Sequence, residues 1–211
     1  MSKTSESSYN REAELEKEFN NFWAEWHKKN GRLTQNMPLE SIILLKSALH
    51  SINNIATLKI TELLVDKLAT WFPKRFKAVR KDILDVIRKE KPNSNGYDIQ
   101  FETNELAFIA EIKCNIPFQE DGKGWKFGAN QVEGIKTDIE GLKNGKTTAT
   151  LRKGIKHYKF LGVYDYAGRS KGAMERILQT DRVKKCGQVE FLVKETELNP
   201  NVIYIVMLGN D

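Results

Sequence analysis

Leu106-Ala107-Phe108-Ile109-Ala110-Glu111-Ile112-Lys113-Cys114 is the stretch on which the reading of this chain turns. It is apolar and rich in strand formers, and a turn-like Glu102-Thr103-Asn104-Glu105 precedes it. Strand side chains alternate with period two, so Glu111 and Lys113 share one face and Cys114 points to the other. An acid and a base emerging side by side from a core strand are costly to bury unless something uses them. A short turn before the strand lets Tyr97 to Phe101 fold back beside it. Asp98, thirteen positions before Glu111, is then expected to lie next to it.

Two adjacent carboxylates suit a hard divalent cation. Mg²⁺ takes oxygen ligands at roughly 2.0–2.1 Å and keeps waters and a phosphate oxygen in its shell. A neighbouring lysine can position or polarise the attacking water and steady charge building on a phosphate. The reaction class that needs this set is metal-assisted phosphodiester hydrolysis.

At these residues the chain resembles the PD-(D/E)XK nuclease superfamily, whose fold is the restriction-endonuclease core. The family pattern is an Asp, a hairpin-length gap and then Glu-x-Lys on the next strand, which here reads Asp98 and Glu111-Ile112-Lys113. Tyr97 stands where the family usually has proline. The resemblance covers roughly residues 55 to 170. It implies that Asp98, Glu111 and the backbone carbonyl of Ile112 bind Mg²⁺, with Mn²⁺ as a substitute, and that Lys113 positions or activates water. It further implies second-tier roles for Glu62, on the helix before the sheet, and Gln131, on the helix after Glu-x-Lys. The expected fold is α/β, a restriction-endonuclease-like core with a central mixed sheet flanked by helices (55–211) and an N-terminal helical extension (1–54).

Composition sets the wider bounds. The 211 residues suit one domain with an added helical part, and 40% hydrophobic with 29% charged residues is a globular, soluble balance. No apolar run reaches the roughly 18 residues of a membrane span. Met1 to Asn10 is Ser-rich and polar, a lead-in expected to be disordered, with no apolar signal core, so a cytoplasmic protein is expected. Two cysteines in no close pair fit a reduced compartment. A net charge of +6 permits polyanion binding without establishing it.

Apolar periodicity predicts helices over 10–29, from Leu39 to about Leu49, from about Ala56 to Phe72, from about Ala129 to Leu142, and near 171–179. Strands are expected at 97–102, 106–114, His157 to Tyr164, 188–194 and 201–208, with loops at Gln119 to Gly128 and 143–156. Residues 76–90 fit a helix better than a strand, although the resemblance asks for a strand before Asp98. The two loops carry Lys123, Lys126, Lys146 and Lys153, expected exposed at the rim of the site and in contact with DNA phosphates, with Trp125 and Phe127 between them.

Other motifs carry less. Gly141 to Thr147 imitates a phosphate-binding loop, but Glu140 stands where glycine is needed and a helix precedes it. His27, His50 and His157 have no metal-ligand spacing. The stripe Phe19, Phe22, Trp23, Trp26 reads as packing within the chain or as a dimer surface.

The leading expectation is therefore a Mg²⁺-dependent endonuclease acting on double-stranded DNA. It is expected to be a type II restriction enzyme, homodimeric and with a companion DNA methyltransferase. A non-catalytic nucleic-acid-binding or assembly protein that retains the fold is the alternative. A partner-binding protein working through its N-terminal helices is a third.

Overall fold

Apolar residues at three- and four-residue spacing wind Arg11–Asn30 into a 20-residue helix, α1. The next segment departs from expectation, because Leu39–Leu49 and Ala56–Phe72 belong to one 33-residue helix, α2 (Leu39–Trp71). No glycine or proline interrupts that stretch. Its polar middle is bound into the helix: the Thr57 hydroxyl donates to the Asn53 carbonyl (2.9 Å), and the Asn54 amide meets His50 Nε2 (3.2 Å). The boundary expected at 54/55 thus falls inside a continuous helix. Pro73 ends it, since the residue before proline is pushed out of helical geometry, and Phe72 leaves the helix at φ −126, ψ 59. A short α3 (Pro73–Phe76) and α4 (Arg80–Lys89) follow, and burial of Ile83, Leu84 and Ile87 makes most of the ambiguous stretch helical. The structure is a computed structural model that describes residues 10–30, 39–89, 96–120, 124–152, 154–194 and 196–209. Of the expected lead-in, Met1 to Asn10, residues 1–9 lie outside them.

The remaining elements are β1 (Ile99–Glu102), β2 (Ala107–Lys113), β3 (Phe118–Glu120), β4 (Gly124–Lys126), α5 (Ala129–Asn144), β5 (Tyr158–Tyr164), α6 (Ser170–Leu178), α7 (Asp181–Lys184), β6 (Val189–Phe191) and β7 (Ile203–Leu208). Five strands form one mixed sheet in the order β1-β2-β5-β7-β6, with β1 antiparallel to β2 and the other neighbours parallel. β3 and β4 make a separate hairpin inside the stretch expected to be a plain loop. The molecule is thus α/β, with a mixed five-stranded sheet flanked by helices.

Alternation along β2 divides the core. Phe108, Ala110 and Ile112 face α2, packing with Leu58, Leu64 and Leu68, while Ile109 faces α5 with Ile135 and Ile139. On the α2 side Phe76, Phe108 and Phe160 interlock with ring centroids 5.4–6.1 Å apart. Each fully buried side chain of this kind contributes roughly 1.5–3 kcal/mol. Gly162 of β5 sits where the layers come closest: a Cβ there would stand 2.8 Å from Ile112 Cδ1 and 3.1 Å from Leu208 Cδ1. Cys114 also turns to the α2 side, its sulfur 3.9 Å from the Thr57 hydroxyl.

Along the outer side of β1, the segment after α5 is tied down by side chains. Gln100 Nε2 donates to the Thr150 carbonyl (2.8 Å), the Arg152 amide donates to Glu102 Oε1 (3.4 Å), and His157 Nε2 meets the same carboxylate oxygen at 2.8 Å. Among the described residues, no helix is long and apolar enough to cross a membrane.

Candidate active site

Register brings the sequence-predicted carboxylates together. Ile99 pairs with Ala110 across the β1–β2 turn, so one residue earlier Asp98 stands opposite Glu111. Asp98 is fixed there by its own side chain, whose Oδ2 accepts the Ile112 amide hydrogen at 2.7 Å. Glu111 and Lys113 both face α5, as period-two alternation requires. Glu111 is buried, at 5% exposure.

Each member of Glu-x-Lys is met by an opposite charge. Lys113 Nζ lies 2.5 Å from Asp138 Oδ2 on α5, and Lys146 Nζ lies 2.5 Å from Glu111 Oε1. Both of those acidic oxygens are sealed from solvent and in ion-pair contact, yet neither takes part in a well-aligned hydrogen bond. Lys146 is held from three sides: its ammonium also donates to the Gly96 carbonyl (3.0 Å) and lies 5.3 Å from the Tyr97 ring centroid, and its amide donates to the Tyr97 hydroxyl (3.2 Å). That hydroxyl donates in turn to the Gly141 carbonyl at 3.1 Å. Tyr97, standing where the resembled family has proline, therefore anchors the end of α5 and the following loop against the acidic cluster.

Three carboxylates and two ammonium groups share this space, and the excess of acid is visible in their protonation. Burial pushes the Glu111 carboxyl up to about 8, with the Asp98 charge adding to it and Lys146 opposing it. Asp98 is also raised, mainly by burial, while the Ile112 amide pulls the other way. At neutral pH the cluster therefore holds a proton that a divalent cation would displace. Asp98 and Glu111, facing each other across the β1–β2 pair, are hard oxygen donors of the kind Mg²⁺ takes. Among the described residues there is no preformed group of three or more acidic, His or Cys ligands around one point. A cation on Glu111 would have to take the place of the Lys146 ammonium.

The other expected site residues fare differently. Glu62 stands on α2, the helix covering the opposite face of the sheet, where it accepts a 2.8 Å hydrogen bond from Arg88 Nε and lies 3.7 Å from Lys59. The structure does not bring it to the cluster. Gln131 shares a stripe of α5 with Gly134 and Asp138, but its Oε1 accepts the Gly128 amide hydrogen (3.0 Å), which caps the helix start. Ile112 contributes its amide to Asp98, and its side chain packs on the α2 side.

Lys146 is not an exposed rim lysine. It is half-buried inside the cluster, because the Gly145 turn (φ +88) and Tyr97 fold the loop inward over Glu111. Lys126 lies on the hairpin over the Phe118 ring, 5.3 Å from its centroid. Lys123 and Lys153 lie outside the described residues. Sequence reasoning missed Asp138 and Lys146 as members of the site. The one signal for Asp138 was an acid on the border of the apolar stripe Ile135, Ile139, Leu142.

Comparison with protein-family models, with curated proteins and with solved structures gave no match.

Proposed function

We propose that this protein is a Mg²⁺-dependent endonuclease that hydrolyses phosphodiester bonds in double-stranded DNA, on a core of the restriction-endonuclease type. The observation that carries the reading is the β1–β2 register, which sets Asp98 opposite Glu111 with Lys113 on the same face of β2. Hydrolysis forms one P–O bond from water and breaks another, and a proton ends on the departing oxygen. Bound Mg²⁺, or Mn²⁺ in its place, would supply Lewis-acid polarisation at the phosphate.

The chain's own groups have separate work in this reading. Asp98, oriented by the Ile112 amide, and Glu111 hold the cation. Lys113, oriented by Asp138, offers hydrogens to the attacking water or to a phosphate oxygen. Lys146 occupies the Glu111 oxygen that the cation would take over. Exposed Ile42, Ile43, Leu49 and Ile52 on α2 give a homodimer an apolar surface. A type II restriction role, with a companion methyltransferase, is the subtype this reading favours.

The test is nicking and linearisation of supercoiled plasmid by the purified chain in Mg²⁺ and in Mn²⁺, with EDTA as control. Asp98→Asn and Glu111→Gln should abolish cleavage, and Lys113→Met should abolish or greatly slow it while leaving metal binding in place. Wild-type protein inert in both metals, or Lys113→Met cutting at the wild-type rate, overturns the proposal. One observation favours a second reading: both lysines already neutralise acids of the cluster, as in a lapsed site that only binds nucleic acid. Salt-sensitive DNA binding without cleavage would select it.

A further inference from the structure

On the Tyr97 side of the acidic cluster the molecule has a second polar feature of opposite sign. A cavity of about 330 Å³ opens between the end of α5, the start of β5 and the loop before it. Lys143, Lys156 and Lys159 line it together with His157, and among the described residues no aspartate or glutamate does. None of the three lysines forms an ion pair with a described residue, although the same chain pairs Lys113, Lys136 and Lys146 with acids. His157 in turn is engaged with Glu102, its Nε2 2.8 Å from the carboxylate.

Lys159 is the telling member. It lies on β5 on the same face as Leu161 and Val163, half-buried under the last turn of α5. Burial lowers the affinity of its amine for a proton, and the Lys143 charge lowers it further. The carbonyl end of α5 offers partial compensation, equivalent to about half a charge. Three ammonium groups around one cavity still leave a clear positive excess, which an anion would relieve.

The cavity shares a wall with the candidate active site. Tyr97 lines it and also holds Lys146 against Glu111. Ile109 lines it too, two residues before Glu111 on the same face of β2, a separation of roughly 7 Å along the strand. We propose that this cavity is a phosphate subsite, receiving a phosphate of a nucleic-acid strand whose neighbouring phosphate lies at the carboxylate cluster. Lys159 contacts the oxyanion from below, and Lys143 and Lys156 contact it from the rim. The proposal rests on the nucleic-acid part of the functional reading and does not require cleavage.

Its test is therefore a binding experiment in EDTA, where no cleavage occurs. A short fluorescein-labelled DNA duplex is titrated with wild-type protein, with Lys159→Met, with Lys143→Met/Lys156→Met and with Lys46→Met as a control on a distant helix, across a range of salt. The pocket variants should lose about tenfold or more in affinity, and their salt slope should flatten by about 0.9, the share of a single neutralised phosphate. Lys46→Met should match wild type. Inorganic phosphate should compete with the duplex on wild-type protein and lose that effect on Lys159→Met. Pocket variants that bind with wild-type affinity and salt slope, or that are no weaker than the control, overturn the proposal. If Lys159→Met does not fold, the exposed pair Lys143 and Lys156 decides the same question. Duplexes with and without a 5′-phosphate separate the sources: equal binding assigns an internal phosphate, and a preference for the phosphorylated end assigns a terminal one. Wild-type protein that binds through this pocket but never cuts plasmid would refute the nuclease reading and leave the subsite standing.

Discussion

Replacing Glu111 by Gln should make the protein more stable at alkaline pH, although it removes an ion pair. In the folded chain the Glu111 carboxyl ionises only at about 8, against 4.5 for an unhindered glutamate. A group raised in this way stabilises fully below the unfolded value, and that contribution is lost as pH rises through the folded one. Between the two, the folded protein keeps a proton that the unfolded chain has released, so stability falls with rising pH. At about 1.4 kcal/mol per tenfold, the gap corresponds to roughly 5 kcal/mol when fully expressed. Lys146 is free to readjust around an amide, so we expect about 2–5 kcal/mol between the two proteins near pH 9 and little difference near pH 5. The assay is urea unfolding of wild type and Glu111→Gln in EDTA at a series of pH values. Parallel stability profiles, or a Gln variant that loses ground as pH rises, would refute the burial argument. The same measurement with saturating Mg²⁺ should flatten the wild-type profile and leave that of Glu111→Gln in place, because the cation takes over from the proton.

Two further outcomes follow from the packing. Lys146→Met removes the Glu111 contact, the Gly96 hydrogen bond and the Tyr97 ring contact together, and should cost about 1–3 kcal/mol in chemical denaturation near pH 8, far more than an exposed lysine. A change within the few tenths typical of a surface residue would place Lys146 outside the cluster. Gly162→Ala puts a methyl group 2.8 Å from Ile112 Cδ1 and should lower stability by about 1–3 kcal/mol, read as a lower thermal midpoint. An unchanged midpoint would mean that α2 and the sheet are less closely packed than this approach requires.

What could be read from the chain alone was what is local. The alternation of Leu106 to Cys114 fixed which side chains share a face of β2, and the hairpin-length gap placed Asp98. Lys146 escaped because a lysine in a Gly-rich loop carries no local mark of burial; the aromatic ring that draws it in, Tyr97, is 49 positions earlier. Asp138 escaped because its partner lies on a strand, not on its own helix. Glu62 was placed by the resemblance, on the helix before the sheet, but a helix's place in the sequence does not say which face of a sheet it will cover. The separation expected between helices at Leu49 and Ala56 fails for a related reason: asparagines weaken a helix when their side chains compete for the backbone, and here Asn54 is engaged with His50. Strands β3 and β4, at three residues each, are too short to show a period at all.

The bonds that fasten Gln100 and Glu102 to the segment following α5 bear on how this molecule behaves in company. A sheet with an open border invites another chain to continue it, and such additions grow into aggregates. Here one border strand, β1, is fenced by Thr150, Arg152 and His157, and the border at the other end, β6, is only three residues long. Neither offers the long, flat template that edge-to-edge growth needs. Association between copies is thereby steered away from the sheet and toward helical surfaces, where contact is made by side chains and can be kept finite.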